Sequence, residues 1–149
     1  MKFSRAVVYA IRATTLLAKF DSLGPVPSSR LAAQGEMPER FLLQILRSMV
    51  NSGILSSTRG VDGGYRLVKA PEEINLLEVI ESVEGPLKLE ASLDKGQNDS
   101  ASDRLAQVMK KITLSSRQHL QETTLADLMG RGKLPPATGA TASDATALK

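Results

Sequence analysis

The side chains of this sequence are poor material for catalysis, but one short stretch is rich in groups that contact nucleic acid. The chain has no cysteine and a single histidine, His119. Without thiolates it cannot form disulfides, thiolate zinc sites or conventional iron–sulfur ligation. One imidazole among scattered carboxylates makes neither a nucleophile–base pair nor a metal constellation, and no phosphate-cradling loop accompanies it. A lone histidine is more often an exposed or packed helix residue than a ligand. The chain is therefore expected to be neither an enzyme nor a holder of a cofactor or metal. The informative stretch is residues 58–67, Thr-Arg-Gly-Val-Asp-Gly-Gly-Tyr-Arg-Leu. Gly60, Gly63 and Gly64 supply the positive φ angles and close approach of a tight hairpin tip, and Arg59 stands at its shoulder. A thin ribbon carrying a long cation suits the minor groove of DNA, which is narrow and electronegative at A·T-rich sequence. An ordinary surface hairpin with one solvated arginine has the same composition, so the surrounding elements must decide.

The runs flanking that tip, Ile54-Leu55-Ser56-Ser57 and Tyr65-Arg66-Leu67-Val68, are of β type. Upstream, Phe41, Leu42, Ile45, Leu46, Met49 and Val50 repeat at helical spacing over residues 38–52. Pro38 fits the first turn of that helix and Gly53 its stop. Its other face carries Arg40, Leu43, Gln44, Arg47 and Ser48, with no acid after Glu39. Residues 27–35 predict a shorter helix, opened by a serine cap and closed by glycine. A short helix, a tight turn, a helix with a basic outer face and then a hairpin is the order of a winged helix-turn-helix. There the second helix enters the major groove and the wing touches the flanking minor groove. The competing reading is an αα-hairpin that merely packs.

Charge divides along the chain. Residues 1–70 carry ten Lys and Arg against four acids, and residues 71–149 carry nine against twelve, so a basic half of +6 precedes an acidic half of −3. A polyanion is drawn to the first and held off by the second. At 149 residues and 42% hydrophobic content the chain can build one core with an appended arm. No apolar run is long enough to cross a bilayer, and the amphipathic N-terminus, interrupted by Arg5 and Arg12, lacks the core of a signal peptide. A cytoplasmic location without membrane partners follows as the expectation.

Ser4 is placed to cap a first helix reaching about Phe20, with Val7, Val8, Ile11, Leu16 and Leu17 on its apolar face. Asn75 followed by Glu78 forms a capping box for a helix ended by Gly85-Pro86. A longer helix from about Ser102 shows Leu105, Val108, Met109, Ile112 and Ser116 as a narrow stripe, which suggests a partner helix, most simply from a second copy. Folding back onto its own domain is the alternative. Thr124 opens a short last helix, and the Pro, Ala, Thr, Ser and Gly composition that follows predicts a disordered tail.

Taken together, Tyr9-Ala10-Ile11-Arg12-Ala13, residues 37–46, Gly53-Ile54-Leu55, Arg59-Gly60-Val61-Asp62-Gly63-Gly64-Tyr65 and Thr124-Leu125-Ala126-Asp127-Leu128 resemble the Rrf-type family of bacterial winged-helix regulators. That family includes the regulator of iron–sulfur cluster assembly, the nitric-oxide-sensing repressor and the cysteine-metabolism repressor. The resemblance runs from Phe3 to about Met129. It implies a homodimer joined by the long C-terminal helix, with two winged domains on a palindromic operator. Cluster-holding relatives place three cysteines in the loop equivalent to residues 88–103, and this chain has none there. Glu90, Asp94, Asp99 and Asp103 offer hard oxygen ligands, but their irregular spacing reads as a solvated loop.

Carried across residue by residue, the resemblance assigns base contacts to Arg40 and Gln44, which pair with guanine and adenine respectively. Leu43 is assigned to a thymine methyl and Arg59 to the minor groove. Ser4, Ser28, Arg47 and Tyr65 are assigned to phosphates, and Gly60, Gly63 and Gly64 to the shape of the wing. Leu105, Val108, Met109 and Ile112 form the expected dimer seam. The expected architecture is mainly α with a small β-hairpin wing: a winged helix-turn-helix domain over residues 1–85, an exposed loop over 86–102, a dimerisation helix and short terminal helix over 103–131, and a disordered tail over 132–149. The expected function is sequence-specific binding of double-stranded DNA by a homodimeric transcriptional regulator, a repressor, without an iron–sulfur cluster. The alternative is a winged-helix interaction module controlled by a regulatory protein, and a small ligand is a further candidate for the controlling partner.

Overall fold

The computed structural model describes residues 2–88 and 100–132. Most of the loop expected at 86–102, and all but the first residue of the tail expected at 132–149, lie outside the described residues.

Helix α1 (Arg5–Lys19) starts where expected, because the Ser4 side chain accepts a hydrogen bond from the Val7 N–H at 3.3 Å. Val7, Ala10, Ala13, Thr14, Leu17 and Ala18 form its buried stripe. Three alanines in that stripe let neighbours approach closely, so α1 becomes the central strut of the core. The buried Thr14 hydroxyl donates within its own helix, to the carbonyls of Ala10 and Ile11 at 2.9 and 3.0 Å, and leaves the core no unpaired polar group at that point. Val8, expected on the apolar face, is 42% exposed.

Helix α2 (Ser28–Gly35) corrects the expected serine cap. Pro27 occupies the cap position and makes no side-chain capping bond, while the Ser28 hydroxyl donates to Glu39 Oε1 at 3.0 Å. The helix closes on Glu36 in the left-handed region (φ 51°) rather than on a glycine. Gly35 sits in a tight place: a Cβ there would overlap the end of the Met37 side chain and lie 3.2 Å from Leu16 Cδ1 and 3.3 Å from Arg12 Cδ, and Arg12 donates to the Gly35 carbonyl at 2.7 Å.

Helix α3 (Glu39–Asn51) buries Leu42, Ile45, Leu46 and Met49. Pro38 stands one residue before it, at the cap, rather than in its first turn. Gly53 takes φ 77° just past its end, as the stop signal required. Phe41 lies at the edge of the apolar face, 37% exposed, with its ring edge-on to Tyr9 at 5.8 Å between centroids.

The wing is an antiparallel pair, β1 (Leu55–Thr58) and β2 (Gly64–Leu67), in register Leu55↔Leu67 to Thr58↔Gly64. Each strand begins or ends within a residue of the expected run. The segment just before α2 joins this ribbon: Val26 N–H donates to the Tyr65 carbonyl at 3.0 Å, and Tyr65 N–H donates to the Val26 carbonyl at 2.9 Å. Gly64 (φ 152°) is pressed against that backbone, so a Cβ would overlap the Val26 carbonyl. Gly60 takes φ 110°, whereas Gly63 is not in the left-handed region. Gly63 is needed because a Cβ would run into the Thr58 carbonyl.

Helix α4 (Leu76–Glu84) opens with the expected capping box: Glu78 N–H donates to Asn75 Oδ1 at 2.9 Å and Asn75 N–H donates to Glu78 Oε2 at 3.2 Å. Helix α5 (Ser100–Glu122) begins two residues earlier than expected and contains no fully buried residue. Arg117 ties it to α4 through an ion pair with Glu81, both half-buried. Helix α6 (Leu125–Leu128) is capped by Thr124 and returns to the core. Its Leu125 N–H donates to the Ile74 carbonyl, and Leu76 N–H donates to the Thr123 carbonyl, both at 2.9 Å, which leaves Leu125 wholly buried.

Gly64→Ala is expected to destabilise the protein by about 2 kcal/mol or more, since strain in φ adds to collision with immovable backbone. Gly60→Ala, where nothing lies within 4 Å of the added carbon, should cost only about 1 kcal/mol. Denaturant unfolding of both variants checks this, and equal losses would mean that the Val26 segment gives way.

Candidate nucleic-acid interface

Arg40, Leu43, Gln44 and Arg47 follow one another at i, i+3, i+4 and i+7 on α3, and all four are exposed. At 1.5 Å per residue, the two arginines lie about 10 Å apart along the helix. The stripe therefore offers two forked cations flanking an amide and an aliphatic group. Ser48, behind it, is half-buried and donates to the Gln44 carbonyl at 3.2 Å.

Arg40, Arg47 and Arg59 make no salt bridge among the described residues, whereas several other cations of the basic half are engaged. Arg12 clamps α1 to the end of α2. Arg30 lies over the Phe20 ring at 4.6 Å. Arg66 reaches Asp21 at 3.9 Å, and Lys69 pairs with Glu78 at 3.5 Å. The excess of +6 therefore includes internal clamps as well as uncommitted side chains, and the uncommitted arginines include those on the outer face of α3 and on the wing.

The wing holds Arg59 exposed just beyond β1, with Val61 fully exposed at the tip and Asp62 beside it. Tyr65 is half-buried and packs on the core, and its backbone carries the Val26 pairing. Ser4 keeps its O–H free of its capping role, in which the oxygen only accepts. The Ser28 O–H is directed at Glu39, so it must leave that carboxylate before donating elsewhere. Sequence reasoning missed three positioning residues, Val26, Arg12 and Gly35. Each acts through a partner distant in the chain, and no local spacing signals that.

On α5, Leu105, Val108 and Ile112 are 43%, 50% and 45% exposed. Met109 is half-buried and belongs instead with Thr113, Ser116, Arg117 and Leu120, the half-buried positions of the helix that packs against α4. Leu114, 57% exposed, is an additional apolar surface residue that the stripe did not include.

Comparison with known proteins places this geometry in context. The Rrf2 family model, described as an iron-dependent transcriptional regulator, matches residues 3–131. A Mycobacterium tuberculosis protein assigned as an HTH-type transcriptional regulator is 34% identical over 146 residues, covering 97% of this chain and 90% of that relative. The structure of CymR, the global cysteine regulator of B. subtilis, superposes with a TM-score of 0.74 at 27% identity, covering 89% of this chain and 99% of that one. IscR of T. potens superposes at 0.68 with 27% identity, covering 97% and 96%. These relatives are transcriptional regulators, not enzymes.

The iron named in the family description finds no matching donor set for a cysteine-held cluster, because the sequence contains no thiolate. His119 stands on an exposed stretch of α5 with Nδ1 2.8 Å from the Ser115 carbonyl. Among the described residues no group of three or more His, Asp or Glu converges on one point. Glu90, Asp94 and Asp99 lie outside the described residues; Asp103 is in the first turn of α5. The protein purified without oxygen is expected to be colourless and to contain no acid-labile sulfide. An absorption band in the visible region that chelators bleach would contradict that.

Proposed function

Because the chain belongs to the Rrf2 family of transcriptional regulators, we propose that it represses transcription as a homodimer seated on a palindromic operator. In this reading Arg40 and Gln44 contact base edges in the major groove, Leu43 meets a thymine methyl, and Arg59 enters the flanking minor groove. Ser4, Ser28, Arg47 and Tyr65 hold the phosphates. The observation that carries the reading is the coupling of helix pair to wing through Val26 and Tyr65, with uncommitted arginines on both. A palindrome follows from twofold symmetry, since each copy brings one recognition helix. Leu105, Val108 and Ile112 are assigned to the seam between copies, where the exposed side of α5 finds its cover, while Met109 lies on the side toward α4.

Fluorescence anisotropy on genomic fragments tests the DNA reading. The log–log dependence of affinity on salt is expected to have a slope on the order of −5 or steeper. Arg59→Ala should cost roughly 1–3 kcal/mol, concentrated at A·T-rich flanks, whereas Arg47→Ala should weaken all sequences alike and flatten the slope by about one unit. Equal, sequence-blind losses from both would reduce Arg59 to a phosphate contact. Transcription in vitro from a promoter containing the recovered site separates repression from activation.

Replacing Val108 and Ile112 together by Asp places uncompensated charge in the proposed seam and should yield monomers, with operator affinity lower by orders of magnitude. Sedimentation of a double variant that remains dimeric would move the seam elsewhere.

A further inference from the structure

A cleft of about 240 Å³ opens where the end of α3, at Ser52 and Gly53, meets the base of the wing and one side of α4. Its floor is apolar, formed by Ile54 and Ile74, which are 6% and 1% exposed. Its rim carries both signs of charge: Lys69 from the segment after β2, and Glu78 and Glu81 from α4. At ~30 Å³ per water molecule the space corresponds to about eight waters, the scale of a small metabolite.

The rim groups retain capacity. Lys69 Nζ commits one of its donors, to Glu78 Oε1 at 3.5 Å. Glu81 commits Oε1 to the Leu87 N–H and the Arg117 guanidinium, while its second oxygen accepts no hydrogen bond among the described residues. An ammonium and two carboxylates around an apolar floor complement a short carbon frame bearing one carboxylate and one ammonium. We propose that this cleft binds a small zwitterionic α-amino acid, with its ammonium at Glu81, its carboxylate at Lys69 and its side chain over Ile54 and Ile74.

The position gives such a ligand leverage. One wall is Ser52 and Gly53, which follow directly on α3, another is the wing base, and Glu81 is the residue that ties α4 to α5. An occupant that draws on Glu81 acts on the attachment of α5 and on the recognition helix together. Binding therefore shifts DNA affinity to the extent that the occupant prefers one disposition of these elements. This regulatory role rests on the DNA-binding reading, but occupancy of the cleft does not.

Titration calorimetry on the full chain with each of the twenty amino acids tests the site, followed by the matching amine and carboxylic acid of any that bind. At least one amino acid is expected to bind with a Kd of about 1 mM or tighter, and both half-analogues are expected to fail. Lys69→Met, a change at an exposed side chain, should weaken that binding at least about tenfold with the unfolding midpoint unchanged. Absence of binding across the panel, undiminished binding by the variant, or equal binding of a half-analogue would each overturn the proposal. Anisotropy on genomic fragments without amino acid runs in parallel. Failure there would remove the DNA reading and leave the calorimetric result for the cleft intact.

Discussion

The two main-chain hydrogen bonds between Val26 and Tyr65 are the constraint on which the arrangement of the outer face depends. A ribbon of two four-residue strands is marginal on its own in water. Pairing with the segment before α2 gives it a third partner and fixes the helix pair and the wing in one frame. The arrangement is paid for in side-chain freedom at position 64, where only a glycine lets the two backbones meet. Val26, 2% exposed, anchors the same point in the core.

From that frame inward, the packing is organised by small residues. Ala10 and Ala13 leave α1 thin enough to touch α2, α3, α4, the second strand and α6. Gly35 lets the end of α2 come down onto Leu16 and Arg12. With three Phe, two Tyr and no Trp in the chain, cohesion comes from many interlocked aliphatic contacts rather than from a few large rings. The cations divide between bracing and display. Arg12 and Arg66 brace chain segments, and Arg40, Arg47 and Arg59 make no salt bridge among the described residues.

Features decided within one turn of chain were legible in the sequence. Ser4, Asn75 and Thr124 cap the helices they were expected to cap, because a cap needs only a side-chain oxygen and an amide three residues on. The hairpin was legible for the same reason, its glycines and β-type flanks being adjacent. Ser28 misled because a serine at a helix start serves equally well as a cap or as a donor to another element, and Glu39, eleven residues away, took it. The stop of α2 misled because the left-handed turn falls on Glu36, while Gly35 is packed closely against Met37, Leu16 and Arg12, which no periodicity within α2 encodes. At the outer face, exposure of Arg40, Leu43, Gln44 and Arg47 followed from helical spacing alone. The commitment of Arg12 and Arg66 depended on partners 23 and 45 residues distant.

Helix α5 is fastened unevenly. Its C-terminal half is held by the Arg117–Glu81 pair and by α6, which is drawn back into the core, whereas positions 103–108 are exposed on every side. Mechanically it is a beam clamped at one end. From Met109, the first half-buried position after the exposed stretch, to Ser100 the overhang is about 14 Å at 1.5 Å per residue, so each degree of tilt moves the far end by roughly 0.2 Å. A tilt of about five degrees would carry a second copy gripping that end through roughly an ångström. In a dimer joined through that end, the spacing of the two α3 helices would then follow the angle of each α5 at its root.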